Sequence, residues 1–176
     1  MENTSQIRIR RMTEKDAGAG ALIEKACFSE PWSEEVYHAV LLLPYAHYYA
    51  AFCGGGELSP GAAPAGEEFP AGAAPAGEGA MIGTVGLQVI GGDGEISNVA
   101  VMPAFRGRGI ARNLLETAIE NARQQGVKDF TLEVRAGNLP AIHLYESLGF
   151  RQEGLRKNFY TCPNEDALIL WLRGKQ

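Results

Sequence analysis

The segment from Asn98 to Arg112, NVAVMPAFRGRGIAR, constrains this chain more than any other. Asn98-Val99-Ala100-Val101 reads as a strand end and Pro103 as part of a turn. Arg106-Gly107-Arg108-Gly109-Ile110-Ala111 then opens a long helix. The first backbone N–H groups of a helix have no intrahelical partner, and the helix dipole favours negative charge there. Glycine lets the backbone approach a ligand closely. Together with Arg106, Arg108 and Arg112 the turn reads as an anion site, and a phosphate-bearing cofactor is the working expectation. A dinucleotide fingerprint needs a third glycine or alanine where Arg112 stands, and a P-loop needs Gly-Lys-Ser/Thr, so neither fits. The competing reading is a plain helix start with arginines on a solvated face.

Hydrophobic periodicity orders the rest. Ile7 to Met12 alternates as a strand with one buried face, and Thr13 is a candidate N-cap for a helix running to about Phe28. Ser29 to Ser33 breaks it. Ser33 with Glu34-Glu35 starts a second helix that Pro44 stops. Strands are expected at Tyr48–Cys53, Met81–Ile90, Glu95–Val101 and Phe130–Val134, with closing strands at Phe150–Tyr160 and Ala167–Leu172. A helix over Ile110–Gln125 carries the stripe Ile110, Leu114, Ala118 and Ala122, widened by Ala111, Leu115 and Ile119, with Gly126 as its C-terminal glycine. Another begins at Asn138-Leu139-Pro140 and ends at Gly149. The order β α α β β β α β α β β implies one α/β domain, a mixed sheet with helices on both faces.

Residues 54–80 differ in kind. Apart from Leu58 and Phe69 they are Gly, Ala, Pro, Glu and Ser, and GAAPAGE occurs twice. Such a segment cannot bury enough apolar surface to offset its ordering entropy. It reads as a flexible insertion in a hairpin, too short for a solenoid and without the glycine period of collagen.

Composition excludes several classes. A net charge of -5 argues against nonspecific nucleic-acid binding. No apolar run approaches membrane length, and no signal peptide precedes the first strand. Cys27, Cys53 and Cys162 have no CxxC spacing and read as reduced thiols of a cytoplasmic protein. His38, His47 and His143 show no metal spacing, so no metal is expected.

Two further residues carry candidate chemistry. In Thr131-Leu132-Glu133-Val134-Arg135, alternation puts Glu133 on a face that a strand between helices should keep apolar. Glu133 is therefore either paired, with Arg135 or another cation, or it lines a cleft; partly desolvated, it could act as a general base. Tyr145 shares a helix face with Ala141, Leu144 and Leu148. By pattern alone it is a core residue whose hydroxyl is satisfied somewhere.

The block from Asn98 to Phe150 resembles the GCN5-related N-acetyltransferase superfamily. Arg106 to Ala111 fits that family's Q/R-x-x-G-x-G/A acetyl-CoA loop. Leu132 to Asn138 and Leu144 to Phe150 are similar to the ribosomal-protein-alanine N-acetyltransferase type. So are Phe28 with Pro31-Trp32-Ser33, and Arg156 to Tyr160 followed by Glu165-Asp166-Ala167. The resemblance covers nearly the whole chain except residues 54–80. The insertion departs from the family pattern, as does Gly137 where Ser is frequent.

The resemblance implies the family's seven-stranded, mostly antiparallel sheet and acetyl-CoA as co-substrate. Val99, Ala100 and Val101 would lie along the pantetheine arm in a splayed strand. Arg106, Gly107, Arg108, Gly109, Ile110, Ala111 and Arg112 would hold the pyrophosphate, and Asn138 would contact the cofactor. Glu133 would be the general base, directly or through water, and Tyr145 the general acid. Trp32 and Ser33 would line the peptide channel, with a core role for Trp32 the alternative. The implied activity is Nα-acetylation of a protein N-terminus, that of the N-terminal alanine of a small-subunit ribosomal protein, by a cytoplasmic monomer. Rival readings are acetylation of a small-molecule amine or a lysine side chain, and an acyl-CoA-binding module without turnover.

Overall fold

The computed structural model describes residues 7–54 and 79–174; the insertion expected at 54–80 lies almost wholly outside them. Strand β1 (Ile7–Arg11) leads through a 3-10 turn at Glu14–Asp16 into α1 (Ala17–Cys27) and α2 (Glu34–Leu41). Then come β2 (Ala46–Cys53), β3 (Ala80–Ile90), β4 (Asp93–Val101), α3 (Ile110–Gln124), β5 (Phe130–Arg135), α4 (Leu139–Ser147), β6 (Arg151–Thr161) and β7 (Asn164–Leu172).

The seven strands form one sheet in the order β1-β2-β3-β4-β5-β7-β6. Every neighbouring pair is antiparallel except β4 and β5. That parallel pair holds only over Gly94–Ile96 against Phe130–Leu132. Beyond Ile96 the two strands part, so the middle of the sheet opens as a wedge whose walls are Ser97–Val101 and Glu133–Arg135. The splay expected on β4 is this wedge.

Each sheet face has its own core. On one, α3 presents Ile110, Leu114, Leu115, Ala118, Ile119 and Ala122 to Leu87, Phe130 and Leu132. All but Ala111 of the stripe read from sequence is fully buried. On the other, Ile23 of α1 and Tyr37 of α2 pack with Tyr48, Phe52 and Met81. Burying one such large side chain contributes about 1.5–3 kcal/mol.

The departures have local causes. β2 begins two residues before Tyr48, and β7 begins at Asn164 because the Thr161↔Asn164 pair draws polar residues into the ladder. Thr13 donates both its N–H and its hydroxyl to Asp16 Oδ2 (2.7 and 3.0 Å), and Arg10 grips the same carboxylate at 2.8 and 2.9 Å. Burial raises the pKa of Asp16, but these bonds outweigh it and hold the group below its ordinary value. On α4 the buried residues are Ile142 and Tyr145. Ala141 and Leu144, on the same helix face as Tyr145, are half-buried: they pack against the core and also line the cleft.

Candidate active site

The wedge is the mouth of a cleft of about 980 Å³ that runs from the α3 N-terminus to the α1–α2 loop. The turn before α3 forms one end. Gly107 and Gly109 have φ of +74° and +77°, a region that side-chain-bearing residues rarely adopt. A Cβ at either would meet nothing within 4 Å, so both glycines face open space. Gly109 caps α3 without a side-chain bond. The unpaired N–H groups of the first turn are thus left for a ligand.

The arginines divide. Arg112 lines the cleft and is steadied by Ser147 Oγ at 2.6 Å. Arg106 also lines it, but its Nε donates to the Val101 carbonyl at 3.0 Å, tying the turn to the strand end. Arg108 turns away, donating to the Ala104 carbonyl at 3.2 Å and lying over the Phe105 ring. It does not line the cleft. Asn138 accepts from Ala141 N at 3.3 Å, as expected of an N-cap, and sits on the cleft wall beside Pro140.

Glu133 and Tyr145 both line this cleft. The partner of Glu133 is Arg156, with Nη1 2.8 Å from Oε1. Arg135 is bound instead to Glu165 (3.1 Å) and to the Cys162 and Pro163 carbonyls (3.0 Å each). A bulge delivers Arg156. Between the pairs Arg156↔Ala167 and Tyr160↔Glu165, residues 157–159 of β6 face Asp166 alone, and Asp166 Oδ1 holds Asn158 N at 2.8 Å. Such bulges bend a strand and re-aim its side chains.

Tyr145 packs in the core and also lines the cleft. Its ring packs edge-on against Phe150 at 5.9 Å, as a core residue would. Yet its hydroxyl makes no hydrogen bond among the described residues, contrary to the expectation for a buried tyrosine. Burial, and after it the neighbouring Tyr160, push its pKa well up, so the hydroxyl keeps its proton.

The model of the acetyltransferase (GNAT) family matches residues 22–150. The chain belongs to this family. A Bacillus subtilis relative, provisionally named a [ribosomal protein bS18]-alanine N-acetyltransferase, is 31% identical over 165 residues, 93% of each chain. The Mycobacterium tuberculosis N-alpha-acetyltransferase RimI is 30% identical over 174 residues, 96% of this chain and 93% of that one. Among solved structures, the Escherichia coli ribosomal-protein-S18-alanine N-acetyltransferase superposes with a TM-score of 0.75 at 28% identity, covering 97% of this chain and 96% of that one. The seven-stranded acetyltransferase sheet expected from the resemblance is therefore the fold observed.

At the other end of this acetyltransferase's cleft, Trp32 is half-buried, 6.0 Å from the Tyr37 ring and 6.3 Å from Tyr48. It thus both packs on the second core and lines the cleft. Ser33 does not line it; its hydroxyl accepts from Val36 N at 3.4 Å and caps α2. The loop is strapped to the β6–β7 turn by Ser29 Oγ to the Cys162 carbonyl (2.8 Å) and Thr161 Oγ1 to Glu30 (3.2 Å).

Glu24, Asn98 and Tyr160 also line the cleft and were not singled out from sequence. Glu24 falls on the polar side of no clear stripe in AGAGALIEKAC, and only the fold brings Asn98 against it. Tyr160 follows a bulge that periodicity cannot register.

No group of His, Cys, Asp and Glu that could hold a metal occurs among the described residues, and none of their helices is long and apolar enough to cross a membrane.

Proposed function

We propose that the chain is an acetyl-CoA-dependent Nα-acetyltransferase for the N-terminal alanine of a small-subunit ribosomal protein, acting as a cytoplasmic monomer. The observation that carries the reading is the convergence of Glu133 and Tyr145 on the cleft into which the α3 anion turn opens. Open space over Gly107 and Gly109, the uncapped α3 start and the free β5-facing edge of β4 past Ile96 suit a phosphate-and-pantetheine ligand. Bound there, acetyl-CoA supplies an activated thioester.

The protein's tasks are then positioning and proton traffic. An α-amine with a pKa near 8 is mostly protonated at neutral pH and must lose a proton before attack. Glu133, set in place by Arg156, receives that proton directly or through water. The Tyr145 hydroxyl, protonated and without a partner among the described residues, donates to the departing thiolate sulfur. Val99 and Ala100 would run along the pantetheine arm, and Arg112 with the N–H groups of Ile110 and Ala111 would hold the pyrophosphate, with Asn138 beside it. Both relatives matched over nearly their full length carry names of N-terminal acetyltransferases, which favours a protein N-terminus over a lysine side chain or small amine.

A coenzyme-A-release assay tests this, with peptides carrying N-terminal alanine, other N-termini, or internal lysine only. Turnover of the alanine peptide is expected. Turnover confined to the lysine peptide or to small amines would overturn the reading. Glu133→Gln is expected to keep acetyl-CoA binding and lose about 100-fold in turnover at neutral pH; an unchanged rate across the pH range would remove Glu133 as base.

A further inference from the structure

Glu24 is 2% exposed, and no Lys, Arg or His forms an ion pair with it among the described residues. Taking a carboxylate out of water without a counter-cation is costly, so such a group is either neutral or awaits a cation. Three neutral donors hold it. Asn98 Nδ2 makes a short hydrogen bond to Oε1, Tyr37 Oη donates to the same oxygen at 3.1 Å, and Trp32 N approaches Oε2 at 3.5 Å. Asn98 Nδ2 also donates to Tyr37 Oη at 3.2 Å. The contacts fix the carboxylate between α1, α2 and β4. Oε1 is filled, while Oε2 has only the long contact and retains acceptor capacity.

This carboxylate lies on the wall of the cleft, between Trp32 and Ser97–Val99. Asn98 and Glu24 belong to the sheet face that carries α1 and α2, and strand alternation puts Glu133 on the face opposite the α3-side residues Leu132 and Val134. The two acids therefore border one wedge from β5 and from α1. Cys27 and the phenol of Tyr48, bonded to Ser97 Oγ at 3.0 Å, lie nearby; Arg106 acts on the Cys27 thiol, while the groups that act on Glu24 are the neutral Asn98, Trp32 and Tyr37.

We propose that Glu24 is a second acceptor for the substrate's α-ammonium, binding it through Oε2 while Glu133 takes its proton. The proposal rests on the N-terminal acetyltransferase reading. An ammonium has three N–H donors, enough for two carboxylates. Its charge supplies what the buried site lacks. Acetylation replaces that charge by a neutral amide, so the same carboxylate favours substrate over product and speeds release.

The test compares binding of an N-terminal-alanine peptide with that of its desamino analogue, a propionyl group in place of alanine, to the enzyme–coenzyme A complex. Native protein, Glu24→Gln, Glu24→Asp and Glu133→Gln are measured by calorimetry. Native protein is expected to prefer the amine by about tenfold or more, Glu133→Gln to keep part of that preference, and Glu24→Gln to lose most of it at unchanged coenzyme A affinity. Glu24→Asp, with the charge one methylene back, keeps a reduced preference and supplies the result should the Gln variant not fold. The proposal is overturned if Glu24→Gln weakens both peptides equally, if Glu24→Asp keeps the full native preference, or if native protein shows none. If native protein acetylates no alanine peptide at all, the functional reading itself fails and takes the proposal with it; acetylation without the Glu24-dependent preference sinks the proposal alone.

Discussion

Arg156 reaches from the β6 bulge to within 2.8 Å of Glu133 on β5, although the sheet seats β7 between the two strands. The pair is open to water, Arg156 being 56% and Glu133 28% exposed. Ion pairs this exposed contribute about 0–1 kcal/mol to stability. Its effect on Glu133 is one of placement, fixing the carboxylate on the cleft wall. Arg156→Ala is therefore expected to leave the melting temperature nearly unchanged while lowering kcat for peptide about tenfold, because the base proposed for the reaction would be mispositioned. Arg156→Lys should recover part of the rate. Native turnover in Arg156→Ala would show that Glu133 needs no such support.

Tyr145 offers a separation of roles. Its hydroxyl makes no hydrogen bond among the described residues, so Tyr145→Phe removes no internal bond, and the ring can keep its place against Phe150. Stability should hold or rise slightly, while turnover falls by about 100-fold. Thermal melting and single-turnover kinetics on the same samples decide. A large loss of stability with normal turnover of the folded fraction would make Tyr145 a core residue alone.

What could be read in advance follows from what periodicity encodes. The α3 stripe and the seven strands repeat at 3.6 and 2 residues, and the Gly107–Gly109 turn is a local arrangement, so each was visible in a single window of sequence. Contacts made by distant residues were not. Arg135 was the nearer candidate partner for Glu133, but a bulge on another strand delivers Arg156. Glu24 gave no sequence signal, because its partner Asn98 lies on β4, 74 positions later. Ser33 sits in a loop that does border the cleft, yet capping α2 already occupies its hydroxyl.

His47 gives a pH dependence of stability. It lies on β2 opposite Leu87, 7% exposed, and its Nδ1 has no partner among the described residues. Burial, and then the charge of Arg11, lower its pKa, so the folded protein keeps the ring neutral. The unfolded chain binds a proton near pH 6.5, where the folded one does not. Stability from this site is thus complete above about pH 7 and is lost as pH falls through about 6.5. Denaturant titrations of native protein and His47→Leu between pH 8 and 5 should show a decline in the first that is shallower in the second. Parallel curves would assign the decline elsewhere. Asp16, whose pKa is lowered, adds its own loss only at more acidic pH, below the ordinary carboxylate range.

The segment between β2 and β3 provides the remaining test. Cys53 pairs with Ala80, so the ladder brings the two ends of residues 55–78 side by side whatever their length. The described cleft residues lie elsewhere in the fold, from the α1–α2 loop to the β6–β7 turn. Replacing residues 56–77 by a two-residue polar turn makes the connection roughly sixfold shorter, which lowers the closure entropy by about 1.5 kcal/mol. The shortened protein should unfold at higher denaturant with peptide turnover within about twofold of native, since the change leaves every described cleft residue in place. If affinity for peptide falls while that for acetyl-CoA holds, the segment takes part in substrate binding; if both hold, it is a tolerated insertion in a hairpin whose register the strands alone determine.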